Sequence, residues 1–206
     1  MSYLPQFSGE SSQARLILAS QSRYKQEMLS RLRLPFEVVS PMIDETPAQG
    51  ELVRHTTQRL ALEKAQKIAL QQPDSWVIGC DQAADVDGVA LSKPEVREHA
   101  IVQLKRLSGK TIVFYTAVCV FKQSKHGLET SFVWLDQTLV QYRVLQESEI
   151  LRYVEREPAF DCAGSAKSEG LGISLFEKIE SQDPTALIGL PLIGLSKLLR
   201  QAGFDI

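Results

Sequence analysis

Two segments in the second half of the chain constrain the fold most. Residues 111–123 and 129–145 are long and rich in β-branched and aromatic side chains, and a turn around Lys125-His126-Gly127 joins them. Runs of this composition separated by a short Gly-containing link pair as an antiparallel hairpin. The first half reads differently. Residues 15–19 are an apolar run suited to a buried strand, and Met28, Leu29 and Leu32 suit the buried side of a following helix. Residues 36–41 read as a second strand and 56–71 as a helix. That helix carries Leu60, Ala61, Ala65, Ile68 and Ala69 on one side, with Glu63 and Lys67 as an i,i+4 pair. Residues 76–80 form an apolar strand with Asp81-Gln82 at its end, and Asp87-Gly88 turns 82–91 into a small hairpin. Lys93-Pro94 opens the next helix, with Pro94 first inside it, an apolar stripe of Ala100, Ile101, Leu104 and Leu107, and Gly109 to end it. Residues 147–156 are helical, 158–172 a loop rich in Gly, Ala and Ser, 173–179 a strand and 191–201 the last helix. Helices and strands mix without strict βαβ alternation. The expectation is an α/β fold with a mixed sheet and a ligand site at the C-terminal ends of strands.

The charge balance bears on partners. Lys and Arg number 23 against 25 Asp and Glu, a net charge of -2. A dedicated duplex-DNA binder would be basic, so no nucleic-acid partner is expected, while a small anion met by a few focused cations remains compatible. Cys80, Cys119 and Cys162 are scattered and form no CxxC pair, which suggests neither a zinc site nor a disulfide framework and suits a reducing cytoplasm. His55, His99 and His126 are scattered too. Residues 1–14 lack the charged and apolar regions of a signal peptide and read as a flexible leader to a single domain over 15–206. The longest apolar run, 113–121, is far too short to span a bilayer, so no membrane partner is expected.

Charged and hydroxyl residues gather at element ends. Ser20, Ser22, Arg23 and Lys25 lie between the first strand and its helix. Ser22 is placed as an N-cap. A capping box would want Glu or Gln three residues on, where Lys25 stands. A cation in the first turn opposes the helix dipole and makes more sense beside an anion. Free amides, two hydroxyls and a lysine would hold phosphate. An ordinary strand–turn–helix with solvated Arg and Lys has the same pattern, and this stretch alone leaves both open. Asp81 follows one apolar strand, and Glu45, in the pair Asp44-Glu45, follows another. Carboxylates at strand ends can hold a divalent cation or take a proton from water. Magnesium takes one or two carboxylates plus substrate phosphates, which suits Glu45 with Asp81. A turn cap at Asp81 and a solvated Asp44-Glu45 are the plainer alternatives. Lys93, just before a helix, again opposes a dipole; Lys64 sits mid-helix, where spacing alone gives a surface lysine. The chain has no GxxxxGKS/T, GxGxxG or GxSxG motif, against a P-loop NTPase, a Rossmann dehydrogenase or a nucleophile elbow.

Taken in order, Leu18-Ala-Ser-Gln-Ser22, Asp44-Glu-Thr46, Leu62-Glu-Lys-Ala65, Ile78-Gly-Cys-Asp-Gln82, Lys93-Pro94 and Leu187-Ile-Gly-Leu-Pro191 resemble the successive motifs of the Maf family, which are cytoplasmic nucleoside triphosphate pyrophosphatases. The resemblance runs from about residue 15 to residue 203. Phe114-Tyr-Thr116, Cys162-Ala-Gly-Ser165, Lys167-Ser-Glu-Gly170 and Asp183-Pro184 are most similar to the YceF branch, whose members hydrolyse 7-methyl-GTP. The resemblance implies an α/β fold with a mixed, strongly curved sheet, flanking helices and a nucleotide cleft, Maf/ITPase-like. It implies a hydrolase of acid anhydrides that converts 7-methyl-GTP to 7-methyl-GMP and diphosphate with a divalent metal, Mg2+ or Mn2+, and so keeps modified nucleotides out of nucleic acids. Asp81 matches the family's proton acceptor. Ser20, Glu45, Lys64 and Lys93 match polar positions of its cleft, and Tyr24, Gln82 and Glu169 match the positions linked to base choice. Glu45 and Asp81 would hold the metal; Ser20, Ser22 and Lys25 would hold phosphate.

The chain departs from the pattern at Lys25, where Arg is usual, and Lys loses the bidentate fork. Cys80 stands for Ser, Ser92 for Gly and Tyr24 for the branch's Trp. None of these removes a carboxylate. Methylation at N7 makes the guanine ring cationic; an aromatic face at Tyr24 would attract it, Glu169 would accept from N1–H and the exocyclic amine, and Gln82 would add a hydrogen bond. Pyrimidine substrates such as dTTP or UTP are an alternative that Tyr24 and Glu169 argue against. A non-catalytic nucleotide-binding regulator, for example of cell division, is another; Asp81 with Glu45, Lys64 and Lys93 argues against it. A homodimer is left open.

Overall fold

The first strand sets the parallel half of the sheet. A computed structural model describes residues 14–206, so the expected leader lies outside the described residues except for Ala14. β1 (Leu16–Ala19) is apolar throughout and fully buried, as a central strand must be. It pairs in parallel with β2 (Glu37–Val39) on one side and β3 (Trp76–Val86) on the other. Parallel neighbours need crossovers, and these are α1 (Arg23–Ser30) and α2 (Val53–Gln71). The remaining pairings are antiparallel. β4 (Val89–Leu91) folds back on β3, and β5 (Thr111–Gln123) pairs with β3 and with β6 (Glu129–Tyr142). β7 (Phe176–Glu180) closes the order β2-β1-β3-β5-β6-β7, seven strands with β4 off the path. α3 (Arg97–Leu107), α4 (Glu147–Arg156) and α5 (Leu192–Gln201) complete the mixed α/β architecture.

The period-two alternation of strands sorts the core into two faces. Odd positions Ile17, Ala19, Val77, Ala117, Cys119 and Phe121 pack with Ala61, Ala65, Ile68 and Ala69 of α2. Even positions Leu16, Leu18, Ile78, Cys80, Val118 and Val120 pack against Met28, Leu29 and the apolar stripe of α5. Each large side chain so buried contributes roughly 1.5–3 kcal/mol. Further along β3 and β5, Ala84, Val86, Ile112 and Phe114 join α3 and α4 in a separate cluster.

Several expected boundaries move, each for a local reason. β3 does not end at Cys80; it stays paired with β5 from Trp76–Lys122 to Asp85–Val113, so Asp81 and Gln82 lie in mid-strand. α2 starts at Val53, earlier than expected, and Glu63 pairs with Arg59 at 3.1 Å rather than with Lys67. The helix expected to open at Pro94 begins at Arg97, because Glu95 takes a left-handed φ of 62° and its N–H donates to Phe160 O. Leu32 lies past the end of α1 but still packs on the core. Residues Leu171–Leu175 form a 3-10 turn, and the last strand starts only at Phe176.

Candidate active site

One cleft of about 730 Å³ opens beside the C-terminal end of β1, and all ten residues singled out above line it: Ser20, Ser22, Tyr24, Lys25, Glu45, Lys64, Asp81, Gln82, Lys93 and Glu169. Both halves of the chain contribute, with α1, the 40–45 loop, α2 and β3 on one side and the 161–169 and 187–189 loops on the other.

At one end the chain turns from β1 into α1. Ser22 has extended backbone, and its Oγ accepts from the Lys25 N–H at 3.4 Å as the N-cap. The Ser22 N–H in turn donates to Ser20 Oγ at 3.1 Å. No acidic residue stands in the first turn of α1, and its leading amides have no intrahelical acceptor. The Lys25 ammonium crosses to β3 and donates to Cys80 O at 2.8 Å. The Cys80 thiol is buried and donates to Gly189 O at 3.1 Å; burial pushes its pKa up.

The floor follows from strand alternation. Asp81 lies two residues beyond Gly79 on the odd face of β3, and so points at α2. There it meets Lys64, whose Nζ is 2.6 Å from Asp81 Oδ1 and 2.8 Å from Glu45 Oε1. Lys64 is therefore not a surface lysine but buried at 7% exposure. Burial works against its ammonium, yet Asp81 foremost and then Glu45 outweigh it and raise its pKa. The pair Asp44-Glu45 is split by role. Asp44 accepts from the Thr46 N–H and hydroxyl within its own loop, and Glu45 turns into the cleft. Arg59 holds that loop: it donates to both oxygens of Glu51 at 2.8 Å and to Thr46 O at 3.2 Å, and it also bonds Glu63. The sequence reading missed Arg59. Its spacing to Glu63 was legible, but its reach to Glu51 was not. Lys93 lines the cleft in a segment without regular secondary structure, four residues ahead of α3, so the helix-dipole argument does not apply to it.

Tyr24, Gln82 and Glu169 also line the cleft. Gln82 Nε2 donates to Thr116 Oγ1, Ala186 O and Leu187 O at 2.8–3.1 Å, leaving its carbonyl oxygen for a ligand. The Tyr24 hydroxyl donates to Asp161 Oδ2 and accepts from Arg23, each at 3.1 Å. Asp161 also pairs with Lys167 at 3.7 Å. Neither Asp161 nor the role of Arg23 in holding Tyr24 was foreseen: Asp161 lies 137 residues from Tyr24, and Arg23, although adjacent to Tyr24, reads from sequence as a solvated cation. Among the described residues, no group of three or more His, Cys, Asp and Glu is placed to hold a metal ion. No helix of the described residues is long and apolar enough to cross a membrane.

A family model described as Maf-like protein matches residues 15–202. The chain belongs to the Maf family. Among Maf relatives, a protein of Xanthomonas oryzae pv. oryzae (strain MAFF 311018) named 7-methyl-GTP pyrophosphatase is 54% identical over 192 residues, 93% of this chain and 98% of its own. A protein of the same name from Thiobacillus denitrificans is 47% identical over 93% of this chain and 94% of its own. One from Methylobacillus flagellatus is 45% identical over 93% and 98%. Among solved structures, the Staphylococcus aureus Ham1 protein aligns with a TM-score of 0.43 and 14% identity over 62% of this chain and 71% of that one.

Proposed function

We propose that this Maf chain is a cytoplasmic nucleoside triphosphate pyrophosphatase, one domain over 15–206, that hydrolyses 7-methyl-GTP to 7-methyl-GMP and diphosphate. The observation that carries the reading is the buried Lys64 ammonium joined to both Asp81 and Glu45 on the floor of a cleft that also receives the start of α1. The relatives named 7-methyl-GTP pyrophosphatase support the choice of base.

The residues divide the work by position. The leading amides of α1, the hydroxyls of Ser20 and Ser22 and the Lys25 ammonium bind the phosphates. Lys64 and Lys93 oppose negative charge as it develops at the reacting phosphoryl group. Asp81 Oδ1 is taken by Lys64. Oδ2 has no bond among the described residues and is the oxygen that orients a water and takes its proton as that water attacks the α-phosphorus. Diphosphate leaves from the same phosphorus. Glu45 and Asp81 also fit a divalent cation, Mg2+ or Mn2+: two hard carboxylate oxygens already converge on one positive charge, and substrate phosphates complete such a site. When bound, that cation neutralises the triphosphate and stabilises the leaving diphosphate. At the base end, the Tyr24 face meets the cationic ring and Glu169 accepts from its Watson–Crick edge.

The test is diphosphate release from a panel of canonical and methylated nucleoside triphosphates with Mg2+ or Mn2+. 7-Methyl-GTP is expected to give the highest kcat/KM, and Asp81→Asn to abolish turnover with the thermal transition retained. Faster hydrolysis of dTTP or UTP, or full turnover by folded Asp81→Asn, overturns the reading.

A further inference from the structure

Two cations crowd the ring offered to a positively charged base. The Arg23 guanidinium lies 5.0 Å from the Tyr24 ring centroid and Lys167 Nζ 5.8 Å from it. Left alone, both would repel a cationic base and compete with it for the aromatic face. Asp161 answers them. One carboxylate oxygen accepts from the Tyr24 hydroxyl at 3.1 Å, which fixes the ring, and the other pairs with Lys167 at 3.7 Å. Lys167 is only 17% exposed, so its charge is poorly screened by water and needs a partner. The other carboxylate of the same loop is Glu169. It accepts from Ser168 Oγ at 3.3 Å and is in no ion pair among the described residues. Asp161 thus occupies the poorly screened cation of this loop, and Glu169 stands without a cationic partner among the described residues.

We propose that Asp161 is a positioning residue for base choice: paired with Lys167 and the Tyr24 hydroxyl, it neutralises the cation beside the ring and leaves Glu169 free for a 7-methylguanine. This deepens the substrate reading above and rests on it. Arg23 remains as a second cation, but it is exposed and screened, and it holds the Tyr24 hydroxyl rather than the loop.

Because the effect is charge against charge, removing the carboxylate should penalise a cationic base selectively. Asp161→Ala is expected to lower the ratio of kcat/KM for 7-methyl-GTP over GTP about fivefold, through KM, with kcat for either nucleotide little changed. Binding of 7-methyl-GMP, followed without turnover, should weaken by a similar factor while GMP binding holds. Adding Lys167→Ala should restore most of the lost ratio, which a merely structural role for Asp161 would not produce. If Asp161→Ala does not fold, Asp161→Asn keeps the shape, removes the charge and carries the same expectation. An unchanged ratio in the single variant, or a double variant as poor as the single, overturns this assignment alone. A parent chain with no preference for 7-methyl-GTP overturns the substrate reading and this assignment with it.

Discussion

Gly79→Ala tests whether the contact between β3 and α2 sets the catalytic geometry. A Cβ at this position would lie 2.0 Å from Ala61 O, 2.7 Å from Ala65 N and 3.0 Å from Ala65 Cβ. The first two are backbone atoms, so no rotamer change relieves the clash. Cβ contacts do not fall below 3.0 Å, and α2 must part from β3 by about 1 Å to admit the methyl. A gap of that width forfeits roughly a quarter to a half of the dispersion energy along the facing surfaces, and overpacking costs about 1–3 kcal/mol. In a chain of this size each kcal/mol lowers Tm by roughly 2–4 °C, so a fall of about 2–12 °C is expected. The same displacement carries Lys64 away from Asp81. Their 2.6 Å bond would stretch past hydrogen-bond range, and a misplacement of about 1 Å costs on the order of 100-fold in kcat/KM. Adding Ala65→Gly should rescue neither loss, since the closest contacts are main chain. Calorimetry and diphosphate release measure the two effects. A Gly79→Ala protein with Tm within about 1 °C of the parent and unchanged kcat/KM would refute the reasoning.

Glu169→Ala should lower kcat/KM for 7-methyl-GTP far more than for unmethylated nucleotides; an equal loss on all substrates removes Glu169 from base reading. Lys64 has a folded pKa above its unfolded 10.5, so its contribution to stability is complete below that pH and is lost as pH rises through the folded value. Denaturant midpoints from about pH 9 to about pH 12 should therefore fall more steeply in the parent than in Lys64→Met. Glu51 behaves in the opposite sense: Arg59 foremost holds its carboxyl at about 2, below the ordinary 4.5. The stability it supplies is present above 4.5 and lost as pH falls toward about 2, and Glu51→Gln should flatten unfolding free energy against pH across that window.

What the sequence made legible follows the range of each signal. The β5–β6 hairpin and α4 were readable because their patterns are local and uninterrupted, and both came out at or within three residues of the expected bounds. β3 was misjudged at Asp81 because two polar residues after an apolar run look like a strand end. Only pairing with β5, more than thirty residues away, keeps the strand going. The expected start of α3 failed at Glu95, whose left-handed φ is imposed by a bond to Phe160 that no local rule contains. The site was legible as residue types in an order, through the family resemblance. Its wiring was not: Lys64 read as a surface residue by spacing, Arg59 and Lys167 bond through loop geometry that no helix or strand period sets, and Asp161 and Lys167 meet Tyr24 from at least 137 residues away.

The same wiring explains why the two ends of the cleft respond differently to charge. At the phosphate end, Lys25, Lys64 and Lys93 face Glu45 and Asp81, an excess of one positive charge. Lys25 is held by a carbonyl and Lys64 by two carboxylates, so in the proposed complex these two lysines have little rotamer freedom left to lose on binding. Lys64 in particular fixes Asp81 by one oxygen and leaves the other without a bond among the described residues, an orientation a solvated aspartate would not keep. At the base end, Arg23 and Lys167 balance Asp161 and Glu169, so no net field favours a neutral base over a charged one. Discrimination there has to come from which charges are already paired. That is why a substitution at the phosphate end should slow every nucleotide together, while one at Asp161 or Glu169 should change which nucleotide is hydrolysed.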